Sequence, residues 1–160
     1  MESNVVVMIS ALLPSNSTER SALLLEKALE AEGICLVEIS NGFLGTSTYK
    51  LHLGVNAPDK EAILLKDARV VRQATKGPLC LVAGMRSLPV MEQIVTSGVA
   101  DLVALCRPLI REPGLIKRWK EGDLRPAECI SCGGCFNKDE NGKIQIYCRQ
   151  LKKRGAGLRT

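Results

Sequence analysis

Four short apolar runs, none of them alternating with polar residues, constrain this chain more than any other feature: Val5-Val6-Val7-Met8-Ile9, Ile34-Cys35-Leu36-Val37-Glu38-Ile39, Leu79-Cys80-Leu81-Val82-Ala83, and Ala100 to Leu105. A strand with one wet face alternates apolar and polar side chains. A continuous run is what a parallel strand covered on both faces requires. Helical patterns separate the runs. Asn16 and Glu19 can form a capping box ahead of Ala22, Leu25, Ala28 and Leu29, and Gly33 stops that helix. The spacing predicts a second helix over Asp59 to Lys76, with Ile63, Leu64, Ala68, Val70 and Val71 inward. Ser87 is placed to cap a short helix ending at Gly98, and Leu115 to Lys120 reads as a last one. The result is an α/β chain of four β/α units with right-handed crossovers. Such a set makes either a small doubly wound sheet or half of a (β/α)8 barrel, and periodicity does not separate the two.

The character changes near Gly122, where cysteine, glycine and charged residues take over and strand and helix signals stop. The expected organisation is therefore an α/β segment over 1–121, a cysteine segment over 122–150 and a basic tail over 151–160. At 160 residues, 46% of them hydrophobic, the chain can bury one core, and at 3% aromatic that core is aliphatic. The net charge of +5 is not gathered into one patch. Its densest run, Arg149, Lys152, Lys153, Arg154 and Arg159, reads as a solvated tail, and the few aromatics offer no base-stacking platform, so nucleic acid is not expected. Met1-Glu2-Ser3-Asn4 lacks the basic start of a secretory signal, and no apolar run reaches transmembrane length. Seven cysteines in such a chain argue for a reducing, cytoplasmic setting, in which clustered cysteines serve metal or redox chemistry.

Ligands of parallel α/β folds sit at the C-terminal ends of the strands. The third run ends Ala83-Gly84-Met85-Arg86-Ser87 and the fourth Cys106-Arg107-Pro108. Gly84 allows close backbone approach to an anion, the helix after Ser87 offers its first amides, and Arg107 adds a cation. This is a candidate phosphate site. A tight turn beside a surface arginine is the alternative.

Cys129-Ile130-Ser131-Cys132-Gly133-Gly134-Cys135 is C-x2-C-x2-C, and Cys148 returns after residues 136–147. The spacing suits an iron–sulfur cluster best, and it also permits an all-cysteine zinc site. Cys35, Cys80 and Cys106 lie in or at the end of apolar strands, where cysteine acts as a small buried hydrophobe. His52, the single histidine, reads as an exposed residue of the long loop from Ser40 to Pro58. Arg125 and Arg149 flank the cysteine segment and could balance a cluster's charge, although solvated surface arginines are the better reading.

Val82 to Ser87, together with Ser97-Gly98-Val99-Ala100-Asp101-Leu102-Val103-Ala104-Leu105-Cys106-Arg107-Pro108-Leu109-Ile110-Arg111-Glu112-Pro113, resembles the end of the barrel of Old Yellow Enzyme-type NAD(P)H:flavin oxidoreductases. Val5 to Ser10 and Val37 to Gly42 resemble the family's fifth and sixth strands, so the resemblance implies the (β/α)4 C-terminal half of a TIM barrel, strands five to eight. It implies that Ala83, Gly84, Met85, Cys106 and Arg107 hold the phosphate of FMN. Cys106 stands where the family usually has glycine, and Met8 where it has a flavin-contacting Lys or Arg. The cysteine spacing resembles that of the branch containing trimethylamine dehydrogenase, 2,4-dienoyl-CoA reductase and 2-enoate reductase. This implies a [4Fe-4S] cluster on Cys129, Cys132, Cys135 and Cys148.

The function implied is an FMN- and iron–sulfur-dependent oxidoreductase fed by NAD(P)H and acting on a small molecule. The half carrying strands one to four is expected on a complementary chain, or its place is taken by a second copy of this one. Stand-alone turnover is not expected, and no catalytic residue is identifiable. The alternative is a non-catalytic metal-binding fragment or assembly partner.

Overall fold

A computed structural model of the chain describes residues 36–40 and 54–151. The expected first strand and helix, Met8, Cys35, Asn41, Gly42, His52 and residues 152–160 lie outside the described residues.

Three of the apolar runs form a parallel sheet. Strands β1 (Val37–Ile39), β2 (Leu79–Val82) and β3 (Leu102–Ala104) stand in the order β1-β2-β3. Val37 pairs with Leu79, and Cys80 with Leu102. Helices α1 (Leu65–Ala74) and α2 (Leu88–Thr96) make the crossovers. Leu79, Leu81 and Ala68 are fully buried, with Met91 and Ile94 of α2 in the same core. Each large apolar side chain so buried contributes about 1.5–3 kcal/mol. Asp101 pins the register: the Leu79 amide donates to its carboxylate, and its own amide donates to the Leu79 carbonyl, both at 2.8 Å. Arg72 of α1 closes the set by reaching Asp101 at 2.5 Å.

The structure corrects five expectations. The helix over Asp59–Lys76 is two pieces, a 3-10 turn at Pro58–Lys60 and α1. Between them Ala62 takes φ 51°, a left-handed conformation no α-helix can contain. The fourth strand begins at Leu102 rather than Ala100. Ser87 has extended N-cap dihedrals but caps nothing with its side chain, which is turned to Glu61 instead. Arg107–Arg111 is a short helix, α3, where only a strand end was expected; Pro108 near its start pre-sets the helical φ. Strand structure does not stop after Gly122 either. Strands β4 (Phe136–Lys138) and β5 (Ile144–Ile146) pair as an antiparallel hairpin, Phe136 opposite Ile146. Asp139 builds its turn by accepting the amides of Asn141 and Lys143, and Gly142 supplies φ +77°.

After α4 (Leu115–Lys120) the chain folds back onto the α/β layer. Trp119, buried, donates from its indole to the Arg125 carbonyl at 3.0 Å. The Ala127 amide donates to the Arg86 carbonyl at 2.8 Å, and the Arg86 guanidinium returns a 2.7 Å bond to the Ala127 carbonyl. This clamp delivers Cys129 to the region beyond the strand ends.

Candidate functional site

Two groups of predicted residues lie beyond the C-terminal ends of β2 and β3, which are hydrogen-bonded neighbours through Val82 and Ala104. The first is the turn after β2. Ala83 and Gly84 both take positive φ, 90° and 76°. A Cβ on Gly84 would sit 2.9 Å from Cγ1 of Ile63, so the close approach there is to the segment between the 3-10 turn and α1. Met85 is buried. The amides of Arg86 and Ser87 do not point into open space. Both donate to Oε2 of Glu61, at 2.7 and 2.8 Å, and the Ser87 hydroxyl donates to Oε1 at 2.5 Å. An internal carboxylate thus occupies the start of α2 that the sequence offered to an external anion. The turn amides before it, at Ala83, Gly84 and Met85, remain the candidate phosphate contacts.

Cys106 and Arg107 open α3 after β3. Cys106 is exposed, which corrects its reading as a buried hydrophobe: the strand ends two residues earlier and the chain turns outward there. Cys80 is buried as expected. Burial, with Glu38 nearby, pushes its thiol up to about 11, so it is inert as a nucleophile.

The second group is the cysteine segment. Cys129, Cys132, Cys135 and Cys148 line one cavity of about 90 Å³, together with Arg107, Arg111 and Glu128. Left-handed Ser131 and Gly133, φ 50° and 72°, wrap the C-x2-C-x2-C loop around it. The hairpin returns Cys148. The Tyr147 amide donates to the Cys135 carbonyl at 3.1 Å. Buried Asn137 donates from Nδ2 to the carbonyls of Gly134, Cys135 and Tyr147, stitching the loop to the returning strand. Among the described residues no three His, Cys, Asp or Glu side chains are grouped as ligands of one metal ion.

The electrostatics differ around the pocket. Burial, then the neighbouring thiols of Cys129, Cys148 and Cys132, holds Cys135 above the ordinary thiol range. Burial also opposes ionisation of Cys148. The Leu151 and Gln150 amides and Arg111 outweigh it and bring that thiol below the ordinary range. Arg111 donates to Cys148 Sγ at 3.9 Å and to Glu128 at 2.5 Å. Sequence reasoning missed Arg111, Asn137 and Glu61. The one available signal was the i, i+4 spacing of Arg107 and Arg111, which puts both guanidinium groups on one side of a helix. Of the flanking arginines, Arg125 is 79% exposed and paired with Asp123, whose carboxyl it holds well below the usual range, and Arg149 is exposed.

No helix of the described residues is long and apolar enough to cross a membrane. No family model matches the chain. It is 31% identical over 94 residues to the dimethylamine dehydrogenase of Hyphomicrobium sp. (strain x), covering 57% of this chain and 12% of that protein. It is 32% identical over 79 residues to the 4,4'-dithiodibutanoate disulfide reductase of Rhodococcus erythropolis, covering 49% of this chain and 19% of the relative. A solved structure of 2-naphthoyl-CoA reductase with 2-naphthoyl-CoA superposes with a TM-score of 0.62 at 26% identity, over 81% of this chain and 19% of that one. The chain thus spans 12% to 19% of the length of these relatives.

Proposed function

We propose that this chain, which resembles the Old Yellow Enzyme-type flavin oxidoreductases and their iron–sulfur branch, is the part of such an enzyme that holds the flavin phosphate and a [4Fe-4S] cluster. In this reading residues 1–121 are the C-terminal half of a TIM barrel, 122–150 the cluster segment and 151–160 a basic tail. The observation that carries it is the single cavity of about 90 Å³ lined by Cys129, Cys132, Cys135 and Cys148 beside Arg107, directly after β3. One structural zinc needs four sulfurs within about 2.3 Å of one point. A multi-iron cluster spreads its thiolates wider, with one thiolate to each iron of the group.

The chain's own groups divide the work. The amides of Ala83, Gly84 and Met85, the backbone at Cys106 and the Arg107 guanidinium receive the phosphate of FMN. Glu61 holds the turn after β2 in shape from behind. Arg107 faces the cysteine cavity as well, so one short helix touches both sites. When bound, the flavin supplies two-electron chemistry and the cluster one-electron transfer. NAD(P)H is the proposed donor and an activated alkene or an amine the proposed substrate class. In this reading the barrel's other strands and the substrate groups are contributed by a complementary half-barrel or by a second copy of the chain. Leu102, half exposed on β3 at the sheet's edge, suits such pairing.

The test is anaerobic purification followed by iron, sulfide and flavin analysis and a visible spectrum. A brown protein with about four irons per chain is expected for a cubane on four thiolates. Stoichiometric zinc without iron after reconstitution would overturn the reading.

A further inference from the structure

Arg111 is the only buried cation among the described residues, with its side chain 5% exposed. Removing a guanidinium from water is costly unless anions and acceptors replace the water. What the protein supplies is incomplete. Nη2 meets Glu128 at 2.5 Å, but the Glu128 side chain is 54% exposed and shares its charge with solvent. Nη1 faces Cys148 Sγ at 3.9 Å. Nε is buried and has no partner. The guanidinium also lines the cavity that the four cysteines surround. A buried cation with an orphaned donor beside four thiols is matched by negative charge inside that cavity.

Resting on the cluster reading above, we infer that Arg111 is a positioning residue for the cluster, fixing Cys148 and raising the cluster's reduction potential. Reduction adds one electron, and so one negative charge, to a group already held by four thiolates. A fixed cation in a poorly solvated place stabilises the reduced form more than the oxidised one. Glu128 works against this by cancelling part of the cation's field while orienting the guanidinium. The two side chains are therefore expected to move the potential in opposite directions, which a merely structural pair would not do.

The test is an anaerobic redox titration of the reconstituted chain with dithionite as electron donor, followed by paramagnetic resonance of the reduced cluster and accompanied by iron analysis. Arg111→Gln should lower the ratio of reduced to oxidised cluster about tenfold at fixed ambient potential, equivalent to about 59 mV for one electron. Arg111→Lys should recover much of the loss, and Glu128→Gln should shift the ratio upward. Should Arg111→Gln fail to hold iron, Arg111→Lys and Glu128→Gln still decide the matter. Unchanged potentials in iron-loaded variants would overturn the role of Arg111. An unmodified chain that takes up zinc and no iron would overturn the cluster reading and this inference with it.

Discussion

Ser87 gives both its amide and its hydroxyl to one carboxylate, that of Glu61, at 2.8 and 2.5 Å, far across the sequence from the helix it opens. The same carboxylate takes the Arg86 amide at 2.7 Å. Glu61 therefore supplies from outside the anion that a helix N-terminus favours, and it shapes the turn proposed to bind phosphate. Replacing Glu61 by Ala leaves the buried Ser87 amide and the part-buried Arg86 amide without their acceptor, and a loss of about 2–3 kcal/mol is expected. Glu61→Gln can still accept one of the bonds and should lose less. Urea denaturation of both variants checks this; an Ala variant as stable as the parent would contradict it.

Asp101 sets a pH limit on stability. The Leu79 amide is the main cause of its lowered carboxyl pKa, opposed by burial and helped by Arg72. A carboxyl depressed on folding contributes stability that is present above its unfolded value, about 3.9, and is lost as pH falls through the lower folded value. Asp101 is 54% exposed, so solvent screening reduces its contribution to about 1 kcal/mol. Asp101→Asn should lower stability by about that amount at pH 7 and flatten the acid limb below about pH 4. Thermal melts across pH 3 to 7 test it, and parallel curves for parent and variant would contradict it.

The cysteines should divide into two classes. Cys148→Ser should lose most of the bound iron, because the fourth thiolate returns from the hairpin and no further cysteine among the described residues lines the cavity. Cys80→Ala should keep its iron, since that thiol is buried in β2 away from the cavity, and should cost about 1 kcal/mol of stability. Equal iron loss in both would mean that the cavity does not select its ligands.

Arg107 tests the phosphate assignment. FMN should bind more tightly than riboflavin, and Arg107→Ala should remove most of the difference. One charge-assisted contact is worth about 1.5–3 kcal/mol, or roughly ten- to a hundredfold in affinity. Flavin fluorescence quenching measures both ligands, and equal affinities in the unmodified chain would count against the site.

The sequence by itself determined the layers of this protein. Val37–Ile39, Leu79–Val82 and Leu102–Ala104 were legible as parallel strands from their unbroken apolar runs, although of the three only Leu79–Val82 is buried along most of its length. The cysteine loop was legible because three of its thiols are near neighbours in the chain. Leu115–Lys120 carried its own helical pattern and formed as expected. The tertiary structure decided where charge goes. Nothing local marks Glu61 as the partner of Ser87, or Arg111 as buried beside Cys148, since each side chain's surroundings come from segments far along the chain. The left-handed turn at Ala62, which splits the helix expected over Asp59–Lys76, has the same origin. An alanine carries no sequence signal for positive φ; the strain is tolerated where the fold aims Glu61 at the amides of Arg86 and Ser87. Periodicity reports burial, whereas pairing of charges depends on distances that only the folded chain sets.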